Sequence, residues 1–313
     1  MKTIFIPLTG GLGNQLFQLS AALSLNPNEV LLSTRYGRPR RDVNKLVEIS
    51  NWNLPENVTI VDNGEAPLIV RKCVGYLLRS GIDPKNYERI PLWRTAIKYF
   101  CTLVISLDLK RIVEIFSSND VGYSAISLTS KKSNGFLIGY FQSHRYLNPQ
   151  TLHSLAVNFE DLDDETRSLY RDYQIDKPIC IHVRLGDYLS ADGFGTPSSQ
   201  YYLEAVREIS HGEENIWVFS DDLEGAKEKL KELKNQKIRW FDRIADSDTK
   251  TLQVMSFCEK FVLSNSTFGW WAAMISTSKE KKVICPQPWF LAMREPKNLI
   301  PTEWTRRKAD FSK

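Results

Sequence analysis

The run Pro178-Ile179-Cys180-Ile181-His182-Val183-Arg184-Leu185-Gly186-Asp187-Tyr188 decides the fold. Its first half is apolar and is bounded upstream by Asp176-Lys177, the pattern of a short strand buried on both faces of a parallel sheet. A His, an Arg and an Asp then cluster where the strand stops. Polar groups at that place lie at the carboxyl edge of the sheet, where open α/β folds hold ligands. Alternation along the strand puts His182 and Arg184 on one side. The competing reading is a capped strand end with a surface arginine.

Working outward, strand and helix signals alternate through the second half of the chain. Strands are predicted at 179–183, 216–219, 238–240, 261–263 and 283–285, and helices at 200–209, 223–233, 249–257 and 268–276. Repeated β-α units imply a doubly wound parallel sheet with right-handed crossovers. The first half opens with a strand at 3–8, the turn Thr9-Gly10-Gly11-Leu12-Gly13 and a helix from Asn14 to about Leu25, a layout suited to phosphate. Further strands are predicted at 30–33, 58–62 and 136–141, and residues 66–116 read as mostly helical. We therefore expect an α/β chain of two domains, residues 1–160 and 175–290, followed by a Pro- and Trp-rich tail, 291–313, packing back on the first domain.

The 313 residues suffice for two cores, and 42% hydrophobic with 25% charged residues is the composition of a soluble globular protein. The apolar run 99–107 falls far short of the roughly 20 residues of a membrane span. No signal peptide is legible at Met1-Lys2-Thr3, so a cytoplasmic protein is expected. Five scattered cysteines form no CxxC pair and point to neither a zinc site nor a disulfide framework. Net charge is only +4, but between Ala66 and Arg111 nine basic residues face three acids, interleaved with Tyr76, Tyr87, Trp93, Tyr99 and Phe100. That segment reads either as a solvated helical layer or as a peripheral contact for an anionic membrane or a lipid-linked acceptor. Nucleic acid is not expected, since no nucleic-acid-binding motif accompanies the basic residues.

Three strand ends of the second domain finish in polar groups: Arg184 to Asp187, Ser220-Asp221-Asp222, and Ser264-Asn265-Ser266-Thr267. In a parallel sheet these ends share one edge. The chemistry suits a nucleotide: an arginine for a pyrophosphate, hydroxyls and amides at a helix start for phosphate oxygens, and a carboxylate for a base or ribose edge. Helix capping is the competing account of the serines and of one of the two aspartates. Gly11-Leu12-Gly13-Asn14-Gln15-Leu16 has leucine where a dinucleotide fingerprint needs its third glycine, and no GxxxxGK[ST] is present. The glycine turn can still bring Gly11, Gly13 and Asn14 close to a sugar phosphate. Trp270-Trp271 reads as helix packing, with sugar stacking as the alternative.

In order along the chain, Gly10-Gly11-Leu12-Gly13-Asn14-Gln15-Leu16-Phe17-Gln18, Gly139-Tyr140-Phe141-Gln142-Ser143, His182-Val183-Arg184-Leu185-Gly186-Asp187-Tyr188, Phe219-Ser220-Asp221-Asp222 and Ser264-Asn265-Ser266-Thr267-Phe268-Gly269-Trp270-Trp271 resemble the α-1,2-fucosyltransferases of glycosyltransferase family 11. The resemblance implies a GT-B-like fold of two Rossmann-like α/β domains facing a cleft, acceptor on the first and donor on the second. It implies inverting transfer of L-fucose from GDP-fucose to the 2-hydroxyl of a galactoside, free or lipid-linked, in a bacterial surface glycan, with no metal cofactor. Carried over, His182 would recognise guanosine, Arg184 the β-phosphate, Asp221 or Asp222 the guanine, and Ser266 with Thr267 the phosphates. Ser264 and Asn265 would complete the donor site, and Asn14 would lie near the fucose. Gln142, Ser143 and Tyr188 are expected on the acceptor side. Asp187 is the base candidate by position, with capping of its turn as the alternative. Leu185 stands where the family usually has a second consecutive arginine, and strand alternation would let it pack. Another linkage or GDP-sugar donor, or a relative that binds without catalysing, are the alternative readings.

Overall fold

The computed structural model describes residues 2–36, 48–61, 64–82, 92–118, 120–128, 134–189, 193–212, 214–233 and 236–312; the side chains of 79–82, 92–95, 187 and 312 lie outside that description. The chain divides into two compact units, Met1–Leu155 with Pro296–Leu299, and Ala156–Glu295 with Ile300–Lys313.

The first unit contains strands β1 (Thr3–Pro7), β2 (Glu29–Ser33), β3 (Val58–Val61), β4 (Val113–Ser117) and β5 (Asn134–Ile138), and helices α1 (Leu12–Leu23), α2 (Leu68–Ile82), α3 (Leu92–Leu109) and α4 (Pro149–Leu155). All pairings are parallel, in the order β3-β2-β1-β5-β4. β1 is buried at all five positions, so an apolar run serves where helices cover both faces. Gly10 turns the chain from β1 into α1 with φ +76, a conformation glycine adopts without Cβ strain. The strand Val113–Ser117 corrects the helical reading of 66–116. It follows α3 closely, and its short mix of Val, Ile and Phe merged with the apolar periodicity of the helix before it.

The second unit contains α5 (Asp164–Asp176), β6 (Ile179–Val183), β7 (Thr196–Pro197), α6 (Ser199–Ile209), β8 (Ile216–Ser220), α7 (Leu223–Lys229), β9 (Ile238–Phe241), α8 (Asp248–Ser256), β10 (Lys260–Val262), α9 (Thr267–Ile275), β11 (Lys282–Gln287), β12 (Thr305–Lys308) and β13 (Phe311–Ser312). Six parallel strands run in the order β12-β11-β10-β6-β8-β9, and β7 pairs antiparallel with β13. The helices start where short polar side chains cap them: Asp163 on α5, Ser198 on α6, Asp222 on α7, Ser247 on α8 and Ser266 on α9. Ile179, Ile181, Val183 and Leu185 pack with Tyr201, Tyr202, Ala226 and Leu230 on one face of the sheet. Two Rossmann-like α/β domains are therefore present, as a GT-B-like chain requires.

The tail departs from expectation. Only Pro296–Leu299 group with the first unit, while β12 extends the second sheet beside β11 and β13 completes a ribbon. Thr305-Arg-Arg-Lys308 carries no apolar run because it is an edge strand, partly exposed along its length, where charge is tolerated and discourages further pairing.

Candidate functional site

The order of the second sheet turns at β6: the chain proceeds through β8 and β9 on one side, then returns to β10 on the other. The carboxyl ends of β6 and β10 therefore bound a topological switch point, the place where such sheets form a ligand crevice. His182 stands at the end of β6 and is only 4% exposed. Its Nδ1 lies 3.0 Å from Ser264 Oγ, just past β10, and its carbonyl accepts from the Ser264 N–H at 3.1 Å. Burial, reinforced by the Arg184 charge, lowers the His182 pKa to about 3, so the imidazole is neutral near pH 7 and offers one donor and one acceptor nitrogen. A Cβ on Gly269 of α9 would sit 2.7 Å from Nδ1, so the absence of a side chain there makes room for the ring.

Arg184 reaches the adjacent strand end. Its Nη1 pairs with Asp221 Oδ2 at 3.1 Å, and its guanidinium lies 5.6 Å from the Tyr188 ring. The Leu185 N–H donates to Asp221 Oδ1 at 2.9 Å, so one carboxylate fixes both the arginine and the backbone beside it. A Cβ on Gly186 would come within 2.2 Å of Asp221 Oδ2, which explains glycine there. The two aspartates divide their labour, since Asp222 caps α7 by accepting from the Gly225 N–H at 3.0 Å. Leu185 is 3% exposed and packs in the core on the face opposite His182.

The Ser264–Thr267 run is similarly divided. Ser264 meets His182; Asn265 Nδ2 donates to the carbonyls of Phe194 and Gly195 at 3.2 and 3.0 Å; Ser266 caps α9. Thr267, the first residue of α9, is half-buried. Asn265 Oδ1 is buried and has no hydrogen-bond partner among the described residues. Asp187 lies in the short turn Gly186–Tyr188, and its side chain is outside the description. Trp270 and Trp271 are fully buried and pack edge to face, so the sugar-stacking alternative is overturned by burial.

The first sheet turns at β1, between β2 and β5, and the other motifs collect there. Gln18, buried on α1, holds the two strand ends together: its Nε2 donates to Thr9 Oγ1 at 2.7 Å and to the Gly139 carbonyl at 2.9 Å, while its Oε1 accepts from the Thr9 N–H. Gln142 Nε2 donates to Asn14 Oδ1 at 2.9 Å. α1 begins two residues earlier than expected, with Gly11 as its cap and Gly13 inside its first turn. Ser143 is fully buried and donates to the Asn298 carbonyl at 2.8 Å, a structural engagement. Of the residues expected on the acceptor side, Gln142 and Ser143 belong to the first unit and Tyr188, beside Arg184, to the second. Gln18, Gly186 and Gly269 were missed as site residues although each stands inside a quoted motif; the signal was a buried polar or a glycine adjoining a polar strand end.

Comparison with known proteins places this geometry in a family. The chain is 26% identical over 307 residues, 90% of its length and 93% of the relative's, to the O-antigen biosynthesis glycosyltransferase WbnK of Escherichia coli. It is 26% identical over 196 residues, 56% of its length and 66% of the relative's, to an alpha-1,2-colitosyltransferase of Escherichia coli. Among solved structures, the ADP-heptose lps heptosyltransferase II of E. coli aligns with 98% of this chain and 90% of its own at 13% identity, with a TM-score of 0.47. The family model described as Glycosyl transferase family 11 matches residues 114–306, a span that takes in β6, β8, β10 and their polar ends, and the chain belongs to that family of glycosyltransferases.

Proposed function

We propose that the chain transfers L-fucose from GDP-fucose to the 2-hydroxyl of a galactoside in a bacterial surface glycan. One observation carries the reading: a neutral, buried His182, the Arg184–Asp221 pair and the start of α9 all attach to strand ends around the switch point of the second sheet. The sequence resemblance supports GDP-fucose as donor. The name of one relative, an alpha-1,2-colitosyltransferase, supports the α-1,2 linkage, and that of another supports an O-antigen acceptor.

In this reading His182 contacts the guanosine through the ring nitrogen that Ser264 does not engage. The hydroxyl of Ser264, at hydrogen-bond distance from Nδ1, holds the ring in place. Departure of GDP builds negative charge on the β-phosphate. Arg184, held by Asp221, and the N-terminal amides of α9 are the groups that stabilise it, an interaction stronger in the transition state than in the ground state. Asp221 or Asp222 reads the guanine in this scheme; the first also holds Arg184 and the second also caps α7. Asn14, held by Gln142, is the first-domain group assigned to the fucose. Inversion requires the acceptor hydroxyl to lose its proton, and Asp187 is the carboxylate assigned to that step, worth roughly 10²–10⁴-fold. No metal is needed in this scheme.

The test offers GDP-fucose, GDP-mannose and GDP-colitose to the enzyme with an array of galactosides, in the presence of EDTA, and maps the linkage formed. Absence of GDP-fucose turnover, as transfer or hydrolysis, would overturn the reading. Preferred use of GDP-colitose would favour the second donor, which the colitosyltransferase relative supports. Tight GDP binding without turnover of any donor would make the chain a binding protein.

A further inference from the structure

Helix α3 carries two apolar faces where a surface helix needs one. Cys101 and Ile105 are buried against Val70, Cys73, Val74 and Leu77 of α2. Tyr99, Phe100, Leu103 and Leu107 are all more than half exposed, Tyr99 at 73%. Residues 99, 103 and 107 recur at helical spacing, with 100 beside them, so the side chains form one stripe about 12 Å long at 1.5 Å per residue. Ile112, 90% exposed, continues the apolar surface past the end of the helix. On α2, Leu68 and Ile69 are likewise exposed. Packing within the first unit explains none of these positions.

Among the described residues from Ala66 to Ile112, the exposed charges are of one sign: Lys72, Lys98, Lys110 and Arg111. The described acid of that span, Asp108, is turned inward: its carboxylate accepts from Tyr36 Oη at 3.0 Å and pairs with Arg35 at 3.4 Å, and its side chain is 8% exposed. Lys110 follows Leu107 by three residues and closes the stripe. No described helix is long and apolar enough to cross a membrane.

An apolar stripe edged by cations, with its acid withdrawn, matches an element that lies in the interfacial plane of an anionic bilayer. A second copy of the chain fits less well, because two-fold pairing would bring like cationic rims together. We infer that the outer face of α3, with Lys98 and Lys110, docks the enzyme on an anionic phospholipid surface. This surface is distinct from the donor site, and its binding requires no turnover.

The experiment is sedimentation of the full chain with vesicles of phosphatidylglycerol and phosphatidylethanolamine, against vesicles of pure phosphatidylcholine. The chain should partition onto the anionic vesicles and be released by high salt, with little binding to phosphatidylcholine. Lys98→Gln with Lys110→Gln should weaken partitioning on the order of thirtyfold, from about fivefold per cation near the surface. Leu103→Asp should reduce it to background. Both variants alter outward side chains, so an unchanged melting temperature and unchanged GDP binding check that they fold. Equal binding to both vesicle types, no binding to either, or full binding by folded Leu103→Asp would overturn the inference. So would a dimer in vesicle-free solution that Leu103→Asp dissolves, since the stripe would then be covered by a second copy.

Discussion

Replacing Gly269 by alanine tests the packing that holds His182. In an exposed helix the change gains about 1 kcal/mol from helix propensity. Here the new Cβ would stand 2.7 Å from Nδ1, 3.0 Å from Cγ and 3.2 Å from Cβ of a histidine that is itself buried. The ring cannot retreat into open space: Phe268 lies 5.8 Å away on one side, and Ser264 meets Nδ1 at 3.0 Å. Overpacking of a filled interior costs about 1–3 kcal/mol. Loss of the hydrogen bond to Ser264 adds about 1 kcal/mol and strands a polar atom. Set against the propensity gain, the net destabilisation is about 1–3 kcal/mol, a fall in Tm of about 2–4 °C for each kcal/mol in a domain of this size. A displaced ring should also weaken GDP binding. Scanning calorimetry measures the first effect and titration calorimetry with GDP the second. A variant as stable as wild type, with unchanged GDP affinity, would refute the reasoning, because it would mean that His182 neither needs the glycine nor meets the nucleotide.

Three further outcomes follow from the same residues. Arg184→Ala should slow transfer by about 10²–10³-fold while leaving stability within about 1 kcal/mol, since its ion pair with Asp221 is partly exposed; turnover and thermal unfolding measured on one preparation separate the two. With a folded-state pKa near 3 against 6.5 in the unfolded chain, His182 leaves stability intact above pH 6.5 and withdraws it as pH falls below, by about 1 kcal/mol between pH 7 and pH 5.5; that increment should vanish from the urea unfolding of His182→Asn. Leu185→Arg, which restores the family's usual arginine pair, should destabilise by on the order of 3–5 kcal/mol rather than improve activity, because it buries an unpaired charge among Ile181, Val183 and Ala226; expression level and thermal unfolding read this directly.

Apolar strands bounded by polar residues are legible because a parallel sheet covered on both faces leaves them no other composition, and β6 was read at its observed limits. Within the two parallel sheets, the two strands that escaped are those that break this rule. β4 adjoins an apolar helix whose periodicity absorbs it, and β12 is a charged edge strand whose partner is known only once β11 is in place. The site divides along the same line. That polar residues gather at strand ends is a local property, visible in Ser264 to Thr267 and in Asp221-Asp222. Which of them face a ligand is a property of their neighbours. Ser264 is engaged by His182, Asn265 by the carbonyls of Phe194 and Gly195, and Ser266 and Asp222 by helix starts, each partner a consequence of chain folding. A rule that counts polar strand ends therefore overestimates the ligand shell, since part of each cluster is spent on helix caps and on tying strand ends together. What is left partly exposed at the second sheet, Arg184 with Asp221, Tyr188 and Thr267, is a smaller set, which the buried His182 joins in the proposed site. Mutations in the engaged residues should accordingly affect folding before turnover, and mutations in this remaining set should affect turnover first.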